Sequence, residues 1–208
     1  MNRFLPALLL LISVYSCSPL VNMQKTNRVV PALAPVIPFG PDTRIIYRAS
    51  INISDKHLSG LFIFRQAPDH DFGYVSFISE LGIEFLRLRL QDGELHTEYA
   101  MEALNRKIIL NALGNFLLVL LDDFDSSHTS VYKQKSDGAW IVVEKQALLQ
   151  WEFWSMNEKN NPETISYYKG KKPSFILHLQ YKKKGEVPHI IVFNHQRLPF
   201  HITLKKIQ

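Results

Sequence analysis

Cys17 is the only cysteine in the chain, and its setting is the most specific chemical signal in the sequence. It follows a positive start, Met1-Asn2-Arg3, an apolar run from Phe4 to Val14, and Tyr15-Ser16. A short positive segment, an apolar segment and a small residue before a candidate cleavage point are the layout of a secretory signal. The apolar run is too short to span a bilayer, which takes about 20 apolar residues. An exported chain with one cysteine has no internal disulfide partner, so the thiol needs another fate. It is either a modification site or a free thiol at the end of an ordinary signal peptide.

Other reactive constellations are thin. The sequence has no Gly-x-Ser-x-Gly elbow, phosphate-binding glycine loop or His-Glu-x-x-His pair. Asp122, Asp123 and Asp125 with His128 offer oxygen and imidazole groups, but their spacing fits no calcium loop and suits a polar turn after a helix. His189, His195 and His201 could meet across a hairpin, yet no histidine cluster has metal-ligand spacing. The expectation is a non-enzymatic protein with no metal and no cofactor.

The elements that would position any site are mostly strands. Ile45, Tyr47, Ala49, Ile51 and Ile53 alternate with less apolar residues at a period near two. The run from Leu58 to Arg65 has apolar residues on both faces, which predicts a strand covered on both sides. Further strands are expected at 72–79, 83–90 and on to Tyr99, with a hairpin at Asp92-Gly93. The period then changes. Leu104, Ile108, Leu113, Phe116, Leu117 and Leu120 recur at helical spacing, predicting one long amphipathic helix over roughly residues 101 to 121. Strands return at 129–134, 139–145, 148–154, 164–169, 174–181, 189–194 and 200–207. The aromatic concentration Trp140, Trp151, Phe153 and Trp154 reads first as core. Its alternative is a cavity wall or a membrane-interface patch. The fold class expected is α+β: a strongly curved antiparallel sheet of about 11–12 strands with a long amphipathic helix packed on it.

Residues 18–41 stand apart, holding five of the chain's eleven prolines. Proline favours extended backbone, so this segment reads as a tether. Its apolar residues, among them Val36 and Ile37, predict that the later part lies against the domain. The division expected is 1–16 signal peptide, 17–41 modified cysteine and Pro-rich tether, and 42–208 one folded domain. The net charge of +5 is scattered except at Lys169-Gly170-Lys171-Lys172 and Lys182-Lys183-Lys184. Both clusters read as solvated hairpin tips, or as attraction toward anionic headgroups. Nucleic acid is not an expected partner, because export removes the chain from it.

Val14-Tyr15-Ser16-Cys17 resembles the lipobox of bacterial lipoproteins. That resemblance implies a diacylglyceryl group on Cys17, cleavage before it and acylation of the new N-terminus, with chains such as palmitate. Lipidation would explain the odd thiol, and two or more chains anchor stably where one does not. Ser18 follows the cysteine. In enteric bacteria an Asp there favours inner-membrane retention, so its absence permits transfer to the outer membrane.

The order of segments resembles the LolA/LolB superfamily of lipoprotein carriers and outer-membrane receptors. It runs through Gly60-Leu61-Phe62-Ile63-Phe64, Ser76 to Leu88, Asp92-Gly93-Glu94-Leu95, the mid-chain helix, Pro188 to Val192 and Ile202-Thr203-Leu204. The resemblance implies an unclosed half-barrel whose concave apolar face, lidded by helix, holds lipoprotein acyl chains. It also implies a lipid-anchored, receptor-like member at the outer membrane, facing the periplasm. On this reading Phe62, Phe64, Phe77, Phe85, Leu113, Leu117 and Trp140 are the lipid-facing residues. The partners would be the membrane through Cys17, lipoprotein acyl chains and a periplasmic carrier protein, and the chain would act as a monomer. The competing expectation is an envelope structural or interaction lipoprotein with the same fold and a filled core.

Overall fold

A computed structural model of the chain describes residues 23–26, 35–38, 40, 44–66, 72–121, 129–134, 140–147, 150–156, 161–169, 172–183 and 186–207. The side chains of 134, 140, 142–147 and 151 lie outside the description. So do Cys17 and the acidic stretch 122–128 with His128.

Among the described residues, thirteen strands form one antiparallel sheet. They are β1 (Met23–Thr26), β2 (Arg44–Ile53), β3 (Lys56–Gln66), β4 (Gly73–Ile78), β5 (Glu84–Gln91), β6 (Glu94–Ala100), β7 (Thr129–Gln134), β8 (Trp140–Ala147), β9 (Gln150–Met156), β10 (Pro162–Lys169), β11 (Pro173–Gln180), β12 (Ile190–His195) and β13 (Phe200–Lys206). Among the described residues one helix, α1 (Lys107–Leu121), falls between β6 and β7. The order across the sheet is β1-β7-β8-β9-β10-β11-β12-β13-β2-β3-β4-β5-β6. Consecutive pairing therefore generates β2–β6 and β7–β13, β1 adds to the edge at β7, and β13 joins the halves by pairing with β2. β1 and β6 are terminal, so the sheet does not close, and α1 packs on it, giving an unclosed half-barrel.

The alternation that predicted strands is the alternation that builds the core. In β2, Ile45, Tyr47, Ala49, Ile51 and Ile53 are buried while Arg48 and Asn52 are exposed. In β11, Phe175, Leu177 and Leu179 are buried. In β3, Phe62 and Phe64 are fully buried, and Leu61 and Ile63 on the other face are half-buried. The two-sided apolarity of β3 thus becomes one sealed face and one partly open face.

Two tight approaches fix the local path. The hairpin at Asp92-Gly93 places both residues at positive φ, 53° and 75°, the signature of a type I′ turn. Gly60 sits where the end of β4 crosses β3. A Cβ there would lie 2.0 Å from the Ile78 carbonyl oxygen, so only glycine fits.

The helix starts at Lys107, later than the periodicity predicted. Met101 to Arg106 instead form a hydrogen-bonded turn, with the Leu104 and Asn105 amides donating to the Met101 carbonyl. The sheet also draws in part of the Pro-rich segment. Met23–Thr26 form β1 against β7, and Val36 and Ile37 join the main core.

Candidate functional site

The inner face of the sheet is predominantly apolar, and α1 lies on it. On the β3–β5 side, Phe62 stacks on Phe77 at 5.1 Å and lies 5.9 Å from Phe64, while Phe85 approaches Phe77 at 4.9 Å. On the β11–β13 side, Phe175, Phe193 and Phe200 are linked at 5.2 Å each, with Tyr167 stacked on Phe175 at 4.9 Å. Phe116 of α1 reaches Phe193 at 5.0 Å, and Leu113 and Leu117 are fully buried in the same core. Each aromatic side chain removes some 150–250 Å² from water, so these rings dominate the cohesion of the face.

Six of the seven predicted lipid-facing residues come together here: Phe62, Phe64, Phe77, Phe85, Leu113 and Leu117. Trp140 starts β8, and its side chain is outside the described residues. Phe153 and Trp154 of the same aromatic concentration are buried in different clusters, Trp154 with the main core and Phe153 with Ile141. Glu152 is the one buried charged residue among those described, and it accepts a hydrogen bond from Trp154 Nε1 at 3.0 Å. It faces Tyr167 across the ladder. Burial, and secondarily the Glu152 carboxylate, push the Tyr167 phenol above its ordinary value.

α1 is held mainly by burial. Its first turn carries no acid and its last turn no base, so it lacks the charges that would complement its dipole. Its first amides, of Ile109 and Leu110, donate to the Arg106 carbonyl of the preceding turn, and near its other end the Ile37 amide donates to the Leu120 carbonyl at 2.8 Å. The connection into it is pinned by the Met101 amide donating to the Phe85 carbonyl at 2.9 Å. Between α1 and β6 lies an open cleft of about 850 Å³, lined by Leu95, Thr97, Lys107, Asn111, Gly114 and Lys169 among others. Gly114 faces open space, and a methyl added to its Cα would meet nothing within 4 Å.

The histidines do not converge. His201 shares a hydrogen bond with Asn194 and lies 3.1 Å from Thr203, while His195 accepts from the Arg197 and Leu198 amides in the β12–β13 turn. His189 lies at the far end of the same ladder, its carbonyl accepting from the Lys206 amide. Among the described residues, no group of three or more His, Cys, Asp or Glu could hold a metal ion.

One feature escaped sequence reasoning altogether. The β4–β5 turn carries Leu81 at 89% exposure and Ile83 at 61%. It is closed by the Ser79 amide donating to the Ile83 carbonyl and the Ile83 amide donating to Ser79 Oγ. Two large aliphatic side chains held out on a structured tip are unusual, because a solvated turn gains nothing from them.

An open antiparallel half-barrel with a helix on its apolar face is a LolA-like fold. Among solved structures, a LolA superfamily protein from Nitrosomonas europaea superposes with a TM-score of 0.54 at 9% identity, covering 79% of this chain and 83% of its own. A domain described as a putative outer-membrane lipoprotein-sorting protein, from Vibrio parahaemolyticus, gives 0.44 at 8% identity, covering 81% and 86%. A DUF1329 family protein from Desulfovibrio piger gives 0.47 at 11%, covering 79% and 84%. At these identities the likeness is one of fold, and the first comparison carries it. No family model and no curated protein sequence matches the chain.

Proposed function

We propose that this chain is a non-enzymatic, lipid-anchored protein of a bacterial envelope that accepts acyl chains on the inner face of its half-barrel. The observation that carries the reading is the manner in which α1 covers that face. A surface that is apolar apart from the buried Glu152 carboxylate is covered by α1, and that helix is seated chiefly by non-directional burial. An acyl chain offers the same kind of contact, so it can take the place of the apolar side chains of α1 at the cost of one backbone hydrogen bond, from the Ile37 amide to the Leu120 carbonyl. The residues in contact with cargo would be Phe62, Phe64, Phe77 and Phe85, with Leu113 and Leu117 withdrawing as the helix lifts. Trp140 belongs to the same proposal.

Lipidation of Cys17 after removal of residues 1–16 would supply the anchor, with residues 17–41 as linker and 42–208 as the body of the domain. The linker is short. From Cys17 to Met23 the chain reaches at most about 20 Å, so β1 would hold its edge of the sheet close to the membrane. Leu81 and Ile83 would then serve as a membrane-contacting tip. The setting is the outer membrane facing the periplasm, with a soluble periplasmic carrier as donor and lipoprotein acyl chains as cargo.

The second reading is an envelope structural lipoprotein with a permanently filled core. Ring contacts near 5 Å and full burial of Phe62, Phe77 and Phe193 favour it for the closed form. Native mass spectrometry of the full chain purified from bacterial membranes separates the two. Copurifying acyl lipid, beyond the mass of the anchor, supports acceptance. A bare chain that also fails to take up added fatty acid supports the filled core. In the same preparation, detergent partitioning lost on Cys17→Ser supports the anchor, whereas a soluble wild-type protein with a free thiol excludes it.

A further inference from the structure

The outer face of β2–β5 is rich in arginine, and most of these arginines have a carboxylate partner. Arg87 takes both oxygens of Glu84, at 2.9 and 2.8 Å. Arg48 lies 3.7 Å from Glu80, and Arg89 lies 3.6 Å from Glu98. Arg44 and Arg65 have no carboxylate partner among the described residues. Yet these two stand directly opposite each other in the β2–β3 ladder. Like charges at directly opposed positions destabilise a sheet, and an uncharged residue at either position would relieve the strain. Both side chains are exposed.

The pair borders a depression of about 430 Å³ whose wall also includes Arg87, Ser76 and Glu84, over Ile63. Arg65 is steadied by the face of Tyr74, its guanidinium carbon 5.1 Å from the ring centroid. A guanidinium presents a planar fork of donors matched to phosphate oxygens, and Ser76 adds a hydroxyl. Three guanidiniums less the Glu84 carboxylate leave two positive charges, which matches a phosphate monoester dianion better than a single carboxylate. We propose that Arg44 and Arg65, with Ser76, form a phosphate-group site on the outer face, separate from the apolar inner face. The phosphate is either that of a lipid headgroup or a free phosphate. The site stands whether or not the inner face binds acyl chains.

The test is calorimetric titration of the full-length protein at mildly alkaline pH and constant ionic strength. The probes are inorganic phosphate, glycerol 3-phosphate and dihexanoyl phosphatidate below its micelle concentration. The expected result is saturable binding that Arg44→Gln or Arg65→Gln weakens by about tenfold or more, and that Arg44→Lys or Arg65→Lys weakens less. Without phosphate, the two Gln variants should melt at or above the wild-type temperature, because the repulsion is relieved. That opposition of binding and stability excludes a merely unfolded variant as the cause of lost binding. Tighter binding of the phosphatidate identifies a headgroup as the source, and binding of inorganic phosphate alone identifies free phosphate. No saturable heat with any probe, or Gln variants that bind as the wild type does, would overturn the site.

Discussion

Leu113→Ala is expected to weaken the fold and tighten acyl binding at the same time. Leu113 is fully buried beneath α1. Truncating a buried leucine costs about 2–5 kcal/mol, and that cost falls on the closed form, in which α1 is seated. A ligand that must displace the helix binds with an apparent affinity reduced by the small fraction of molecules already open. Destabilising the closed form by about 2 kcal/mol raises that fraction roughly 30-fold, at 1.4 kcal/mol per decade. The apparent affinity should rise by the same factor until the open form predominates.

The assay is fluorescence titration with fatty acids of increasing chain length, alongside thermal melting. Leu118→Ala is the control. Leu118 lies on the cleft side of α1 and is half-buried, so its truncation should change affinity far less. Chain length separates displacement from a trivial alternative. A hole left by Leu113→Ala under a still-seated helix would favour short chains only, whereas helix displacement favours all lengths alike. A Leu113→Ala protein with a lower melting temperature and unchanged or weaker binding at every length would refute the reasoning.

Gly60→Ala should destabilise the domain by about 3 kcal/mol in urea unfolding, because the new methyl meets a backbone carbonyl at 2.0 Å that cannot rotate away. Gly114→Ala meets open space and should instead stabilise by up to about 1 kcal/mol through helix propensity. Stability should be level from neutral pH to about 10, then fall by about 1.4 kcal/mol per pH unit for each responsive tyrosine. Tyr47 and Tyr181 respond most, and Tyr167 and Tyr168 respond in the same direction. Burial pushes the first two phenols far above their ordinary value, with Tyr181 adding to the effect on Tyr47. The unfolded chain therefore releases protons that the folded one keeps, and urea midpoints unchanged at pH 11 would contradict this. Leu81→Asp with Ile83→Asp should leave unfolding within about 0.5 kcal/mol of wild type while reducing association with lipid vesicles. Vesicle binding unaffected by both changes would remove the tip from the membrane-contact proposal.

Most of the sheet was legible because it is made of hairpins with one sealed face. Alternation marks such strands directly, and β2 and β11 show it residue by residue. β1 was not legible. Met-Gln-Lys-Thr has no apolar alternation, and its strand state comes wholly from pairing with β7, more than a hundred residues later. The helix was legible in its apolar stripe but not in its start. The periodicity extends back through Leu104, which is buried in a turn rather than in the helix. Arg44 and Arg65 became neighbours only once the register of β2 and β3 was known. A shift of one residue would have put Arg65 on the opposite face from Arg44.

The inner face poses a harder problem, because a filled core and a lipid-binding wall ask for the same residues. Phe62, Phe77 and Leu113 satisfy either one, so apolar pattern alone could not choose. What distinguishes them is how the covering element is held. A helix meant to stay has reason to use its ends and its outward face, through dipole-matching charges, good helix formers and side-chain bonds to its neighbours. α1 has no acid in its first turn and no base in its last. It begins at Lys107, a cation at the positive end of the dipole, and carries Gly114 in its middle with no contact that requires a glycine. Each of these choices weakens the helix, and none improves its seat. α1 is thus held by apolar burial and by the backbone hydrogen bond from Ile37 to Leu120, with no matching charge at either end. The proposed acceptance of acyl chains calls for a cover held in this way.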